Sequence, residues 1–255
     1  LETCPDGRYV YRAYFYMADS YRQLGKLEQA CDYYKQVIEG GSGSYVELSM
    51  LSFADISYKL ERWDDAFGGY SSLYSSARFE NNKLAALSGM MRSAYKGHKW
   101  EEAVKNADKV LFDSRIGEDV KREAEYIKAK SYLATSRRSE ALVIMEKLAA
   151  DLKDGYGAEA AYMLILDSYD KAEFSDVENK VYAFSDAASP QTYWLAKSFI
   201  VLGDAFADRG EYTQAKATFE SVRDGYKPVS SDDDVLDNVR MRLDKLQEIM
   251  ASNNR

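Results

Sequence analysis

The sequence predicts an all-α protein: about six stacked helix pairs followed by one C-terminal helix. Three observations carry this. A phrase recurs about every 36 residues, as A-D-S-Y-R-Q-L-G-K-L-E-Q-A at 18–30, A-D-I-S-Y-K-L-E-R-W-D-D-A at 54–66 and M-R-S-A-Y-K-G-H-K-W-E-E-A at 91–103. It returns as A-K-S-Y-L-A-T-S-R-R-S-E-A at 129–141 and G-D-A-F-A-D-R-G-E-Y-T-Q-A at 203–215. Self-similarity at this period marks a solenoid of supersecondary units. The second observation is a small anchor residue in each unit: Ala30, Ala66, Ala103, Ala141, Val177 and Ala215, at intervals of 36, 37, 38, 36 and 38. The third is a pair of bulky side chains around it. Leu27, Trp63, Trp100, Phe174 and Tyr212 lie three residues before an anchor, and Tyr34, Tyr70, Met145, Val181 and Phe219 lie four after. Spacings of three and four keep these on one helical face, the one that forms an inter-helix core.

Each unit then reads as two helices around a short polar turn. In the first unit the turn is Leu24-Gly25-Lys26, with glycine where a helix commonly ends at positive φ. The small anchor lets two helix backbones approach closely at their crossing. Loop signals separate the units: Gly40 to Ser44, Glu80-Asn81-Asn82, Asp154 to Gly157 and Ser185 to Ser189. Pro5, Pro190 and Pro228 share one phase, six residues before a predicted helix position, where proline stops one helix before the next begins. The organisation expected is residues 1–10 as the remnant of a preceding repeat or a linker, 11–231 as six repeats and 232–255 as a capping helix. The chain opens at Leu1, so it reads as a fragment or processed form of a longer protein. The acidic run Ser230 to Asp234 starts the last helix. Leu236, Val239, Leu243, Leu246 and Met250 line its apolar side, with Arg240, Arg242, Asp244, Lys245 and Glu248 on the others.

Composition narrows the function. The 255 residues are 46% hydrophobic and 30% charged, which fits an ordered chain. The net charge of −8 argues against general phosphate-backbone binding, so no nucleic-acid partner is expected. No apolar run reaches the length of a membrane span. His98 is the only histidine and Cys4 and Cys31 the only cysteines, too few for a zinc site. Little motivates a Cys4–Cys31 disulfide, because a free buried cysteine is an ordinary core residue. No nucleophile elbow, P-loop or dinucleotide glycine pattern is present, and His98 falls in a turn without a second ligand. The pair Glu220-Ser221 falls beside the core Phe219 and reads as an ordinary helix surface. The chain is therefore expected to be no enzyme and to need no cofactor or metal.

An aromatic late in the first helix (Tyr21, Tyr132, Phe206), glycine at the turn (Gly25, Gly210), an aromatic just after it (Trp63, Trp100, Tyr212) and the anchor alanine together resemble the tetratricopeptide repeat family. The resemblance covers residues 11 to 226. The fourth unit departs from it at Glu125 and Lys128, and the usual inter-repeat proline is mostly missing. What the resemblance implies is a right-handed superhelical solenoid whose first helices line a concave groove. Groove positions then lie eight, eleven and fifteen residues before each anchor. The middle of the groove is expected to hold Tyr58, Tyr95, Tyr126, Tyr162 and Tyr169 around Arg92 and Lys130. Tyrosine gives large contact area with few torsions to freeze, and arginine forks a carboxylate. A peptide with an acidic group or free C-terminus would suit Arg92 and Lys130. The plainer reading is that these tyrosines cover helix surfaces or pack between repeats. The expected function is a scaffold for a protein or peptide partner. The runner-up is a spacer or self-association module, hence a homo-oligomer. The Tyr-rich, Pro-poor style is similar to that of bacterial cell-envelope repeat proteins, which points to the periplasm or envelope by resemblance only.

Overall fold

The computed structural model describes residues 9–40 and 44–253. Cys4 and Pro5 lie outside them, and so does a Cys4–Cys31 pairing. Cys31 itself is a buried thiol. Among the described residues all regular structure is helical. The helices are α1 (Val10–Gln23), α2 (Leu27–Gly40), α3 (Ser44–Lys59), α4 (Trp63–Ser76), α5 (Glu80–Lys96), α6 (Trp100–Phe112), α7 (Glu118–Ala134), α8 (Arg138–Ala149), α9 (Gly155–Asp170), α10 (Phe174–Asp186), α11 (Thr192–Asp208), α12 (Tyr212–Gly225) and α13 (Val235–Asn253). The chain divides into two compact units, Leu1–Arg138 and Ser139–Arg255. In the first, each helix packs on the next, and the odd-numbered helices α1, α3, α5 and α7 also pack on one another in succession. In the second, α9, α11 and α13 stand in the same relation.

One turn geometry is repeated six times. The residue five before each anchor has positive φ: Gly25 (72°), Glu61 (57°), His98 (56°), Ser136 (61°), Ala172 (56°) and Gly210 (77°). At each, two backbone bonds close the preceding helix, as in Gly25 N–H to Arg22 O at 3.1 Å and Lys26 N–H to Tyr21 O at 2.9 Å. The same pair recurs at every site, down to Gly210 N–H to Ala207 O at 3.0 Å and Glu211 N–H to Phe206 O at 2.8 Å. This is the Schellman helix end, which satisfies two orphan carbonyls and reverses the chain. Only two of the six turns use glycine. The other four hold a Cβ in the left-handed region, which costs about 1 kcal/mol or more each. His98 is one of these turn residues, and its ring lies edge-on to Trp100 with centroids 4.9 Å apart.

All six anchors have no exposed surface. Core volume is balanced between the position twelve before each anchor and the position four after. Ala18 shares a core with Tyr34, Ala54 with Tyr70, Met91 with Ala107 and Ile165 with Val181. Gly203 leaves room for Phe219, whose ring occupies the space of a glycine Cβ. The third unit lacks a bulky residue after its anchor because Met91 fills that volume from the other helix. Close packing at constant volume demands this trade.

Two expected loops are helix starts, and the first residues of a third are a helix end. Glu80, Asn81 and Asn82 form the first turn of α5, and the linker before it is Ala77 to Phe79. Glu47 reaches across from α3 to hold that start, accepting from Arg78 N–H at 3.2 Å, Phe79 N–H at 3.3 Å and Asn82 Nδ2 at 2.7 Å. Residues 155–157 open α9, capped by Asp154, whose side chain accepts from Gly157 N–H at 2.8 Å. Ser185 and Asp186 complete α10. Loops, N-caps and helix ends share the same polar and small residue types, so composition alone does not separate them. At the C-terminal end Asp233 caps α13, accepting from Val235 N–H at 3.0 Å.

Candidate functional site

The seven residues expected in a groove fall on α3, α5 and α7 in the first unit (Tyr58, Arg92, Tyr95, Tyr126, Lys130) and on α9 in the second (Tyr162, Tyr169). All five tyrosines are partly buried against a core. Those eight before an anchor share one device. Tyr58 meets Trp63 edge-on at 5.0 Å, Tyr95 meets Trp100 at 5.8 Å and Tyr169 meets Phe174 at 6.1 Å. Each ring clasps the aromatic that follows its own turn, which fixes the angle of the helix pair. Burial pushes the Tyr58 and Tyr162 phenols above their ordinary values.

In the first unit, side chains from α3, α4, α5 and the start of α7 enclose a cleft of about 490 Å³. Leu51, Asp55 and Tyr58 line it from α3, at a spacing that puts them on one helical face. Tyr70 forms its back wall. Its ring lies directly over Gly89 of α5, where a Cβ would come within 2.5 Å of it. Its hydroxyl donates to Asp55 Oδ1 at 2.6 Å. Burial and that carboxylate together push the Tyr70 phenol far above its usual range. Leu84 and Arg92 complete the α5 side, and Ile116 and Val120 the opposite side. Arg92 forks Glu123 of α7, with Nε 2.8 Å from Oε1 and Nη2 2.5 Å from Oε2. Arg115, at the rim, is held by Asp113 at 2.7 Å and by Glu80 at 2.7 Å. Lys130 lies 5.9 Å from the Tyr126 ring centroid.

The second unit has its own cluster. Trp194 packs against Tyr162 at 5.4 Å and Tyr193 at 5.0 Å. Lys197 reaches over both tyrosine rings and pairs with Asp234 at 3.1 Å. Burial opposes the charge on each partner, and the pair overrides it: the Lys197 ammonium is raised and the Asp234 carboxyl lowered. Arg242 of α13 binds both oxygens of Asp204 at 2.8 Å. Burial still leaves the Asp204 carboxyl above its ordinary value. Tyr169 donates to Asp208 at 2.6 Å. Arg242, read from sequence as part of a solvated face, is thus a tie between α13 and α11.

Sequence reasoning missed Tyr70, Gly89, Glu123, Lys197 and Asp234. Tyr70 was read only as core, and Asp234 only as a helix start. A signal was available for the charges, since opposite charges roughly one repeat apart meet between neighbouring first helices.

Two other features have some of the marks of a site. Between α12 and α13 lies a cleft of about 710 Å³ with Leu236, Leu243 and Met250 among its walls. Four of its charges pair, Arg223 with Glu220 and Arg240 with Asp237, and the other two, Lys216 and Asp244, are of opposite sign, so it expresses no charge preference. Ser168 accepts from Lys180 Nζ at 2.7 Å and donates to Asp176 at 2.6 Å, which has the residue types of an activated nucleophile. Its side chain is 1% exposed and ties α9 to α10, and none of the clefts described here reaches it. Among the described residues no group of three or more His, Cys, Asp or Glu side chains is placed to hold a metal ion, and no helix is long and apolar enough to cross a membrane.

Residues 12–39 match the family model for the tetratricopeptide repeat. A solved tetratricopeptide repeat protein from Parabacteroides merdae superposes with a TM-score of 0.62 at 14% identity, over 94% of this chain and 87% of that one. The nearly identical TPR-like repeats of a Podosopora anserina kinesin light chain give a TM-score of 0.42 at 14% identity, over 86% of this chain and 96% of that one. No curated protein matches the sequence.

Proposed function

We propose that this chain, an all-α tetratricopeptide-repeat protein, is a non-enzymatic scaffold that binds a peptide segment of a protein partner on its first-helix layer. The observation that carries this is the cleft between α3 and α5. It joins apolar walls (Leu51, Leu84, Ile116, Val120) to a few placed polar groups (Asp55, Arg92), the composition of a recognition pocket. Tyr58 and Arg92 line it, and Tyr95, Tyr126 and Lys130 extend the same layer along α5 and α7. In the second unit Tyr162 and Tyr169 are the corresponding contacts. Peptide recognition of this kind rests on rigid aromatic area and a small number of anchors.

Ala85 gives a clean test, because it lines the cleft from α5 and is exposed there. Ala85→Trp fills the pocket without entering the core. Peptides selected from a displayed random library on the full chain should lose binding to Ala85→Trp while its unfolding midpoint stays unchanged. Undiminished binding to this variant removes the cleft from the function.

A further inference from the structure

The charges around this cleft are unequal in one respect. Both arginines that line it are already engaged by carboxylates, Arg92 by Glu123 and Arg115 by Asp113 and Glu80. Asp55 has no such counter-ion. It accepts one hydrogen bond from the neutral Tyr70 hydroxyl, and its second oxygen has no hydrogen-bond or ion-pair partner among the described residues. Asp55 is exposed and lines the cleft three residues before Tyr58, so the carboxylate and the tyrosine ring sit on one face of α3.

Resting on the groove reading above, we infer that the cleft selects a basic partner: a peptide whose apolar side chain enters between Leu51, Leu84 and Ile116 while an adjacent lysine or arginine pairs with Asp55 beside the Tyr58 ring. The argument is one of charge complementarity. An incoming carboxylate must displace Glu123 from a three-bond fork on Arg92 and gains no net pair. An incoming cation displaces nothing. It gains the open oxygen of Asp55 and the face of Tyr58, and aromatic faces attract cations within about 6 Å of their centroids. The net charge of −8 favours the same encounter over longer range. This reverses the polarity that the Arg92 and Lys130 positions suggest by themselves.

The experiment selects peptides from a displayed random 12-residue library on the immobilised full chain, with counter-selection on Ala85→Trp. The expected result is enrichment of lysine or arginine next to an aliphatic or aromatic residue. A selected basic peptide should then bind Asp55→Asn about two- to fivefold more weakly than wild type at low salt, the range of a partly exposed ion pair. Asparagine still offers Tyr70 an acceptor, so the pocket keeps its shape and the unfolding midpoint should hold. Enrichment of acidic peptides, or basic peptides indifferent to Asp55→Asn, overturns the charge inference and leaves the groove standing. Enrichment that survives counter-selection on Ala85→Trp unreduced sinks the groove reading itself.

Discussion

The same substitution, glycine to alanine, should have opposite effects at two helical positions. Gly68 in α4 is exposed and a Cβ there meets nothing within 4 Å. Gly68→Ala therefore collects only the helix-propensity gain, about 1 kcal/mol of stabilisation. Gly203 in α11 enjoys the same intrinsic gain but faces Phe219. Its Cβ would sit 2.3 Å from Cε1 and 2.7 Å from Cζ, so ring and helix must separate by about an ångström. Phe219 is 1% exposed, within the core formed by α11, α12 and α13, so its ring has no free space to swing into. Overpacking of this kind costs about 1–3 kcal/mol, which leaves Gly203→Ala destabilised by about 1 kcal/mol net. The two variants should differ by about 2 kcal/mol. Stacked repeats unfold unit by unit, so a single global midpoint is a blunt probe. Urea unfolding by circular dichroism should be paired with hydrogen exchange of the α11 and α12 amides. Gly203→Ala should lower protection there, and adding Phe219→Leu should restore part of it. Equal stabilisation by both glycine substitutions would refute the volume argument for the whole array.

Two further predictions test the turns and a linker. Ala172 holds φ at 56° in the turn before α10, so Ala172→Gly should stabilise by about 0.5–1 kcal/mol, while Gly210→Ala at the equivalent turn destabilises by about 1 kcal/mol; thermal melts of both variants check the pair of signs. Arg115, through its guanidinium and its backbone N–H, holds the Asp113 carboxyl down at about 2. A free aspartate titrates near 3.9, so the linkage stabilises fully above about pH 4 and is lost as pH falls towards 2. Wild type should lose more stability than Asp113→Asn between about pH 4 and 2, and parallel pH profiles for the two would contradict the linkage.

The fold was legible because its determinants are local. The anchors, the bulky residues three before and four after them, and the aromatic that follows each turn all act within one helix pair, so spacing alone exposes them. The turn geometry was legible only in part. Gly25 announced it, but Glu61, His98, Ser136 and Ala172 adopt the same backbone without any residue signal. There the two helices on either side over-determine the turn, and packing overrides propensity. Four residues after the Ala103 anchor stands Ala107, where the other units carry a bulky residue. This is a volume exchange with Met91, visible once the position twelve before each anchor is read together with the one four after.

The site was less legible because its charges are settled between units. Arg92 and Asp55 occupy the same phase of consecutive repeats, and either could have been the open charge in the cleft. The outcome depends on which neighbour each can reach. Arg92 extends towards α7 and meets Glu123, 31 positions later, just as Asp204 receives Arg242 from α13, 38 positions later, and Lys197 meets Asp234, 37 positions later. In each case the pair joins a helix to the one two further along the chain, or to the residue just before it. A cation that looks forward is consumed by the following repeat, and the acidic residue one repeat behind Arg92 is left without it. Forward pairing also does structural work, since each bond adds to the direct packing of one such helix on the next. The cleft therefore inherits its negative character from the way the array holds itself together, and a peptide that binds there meets the charge left over from assembly.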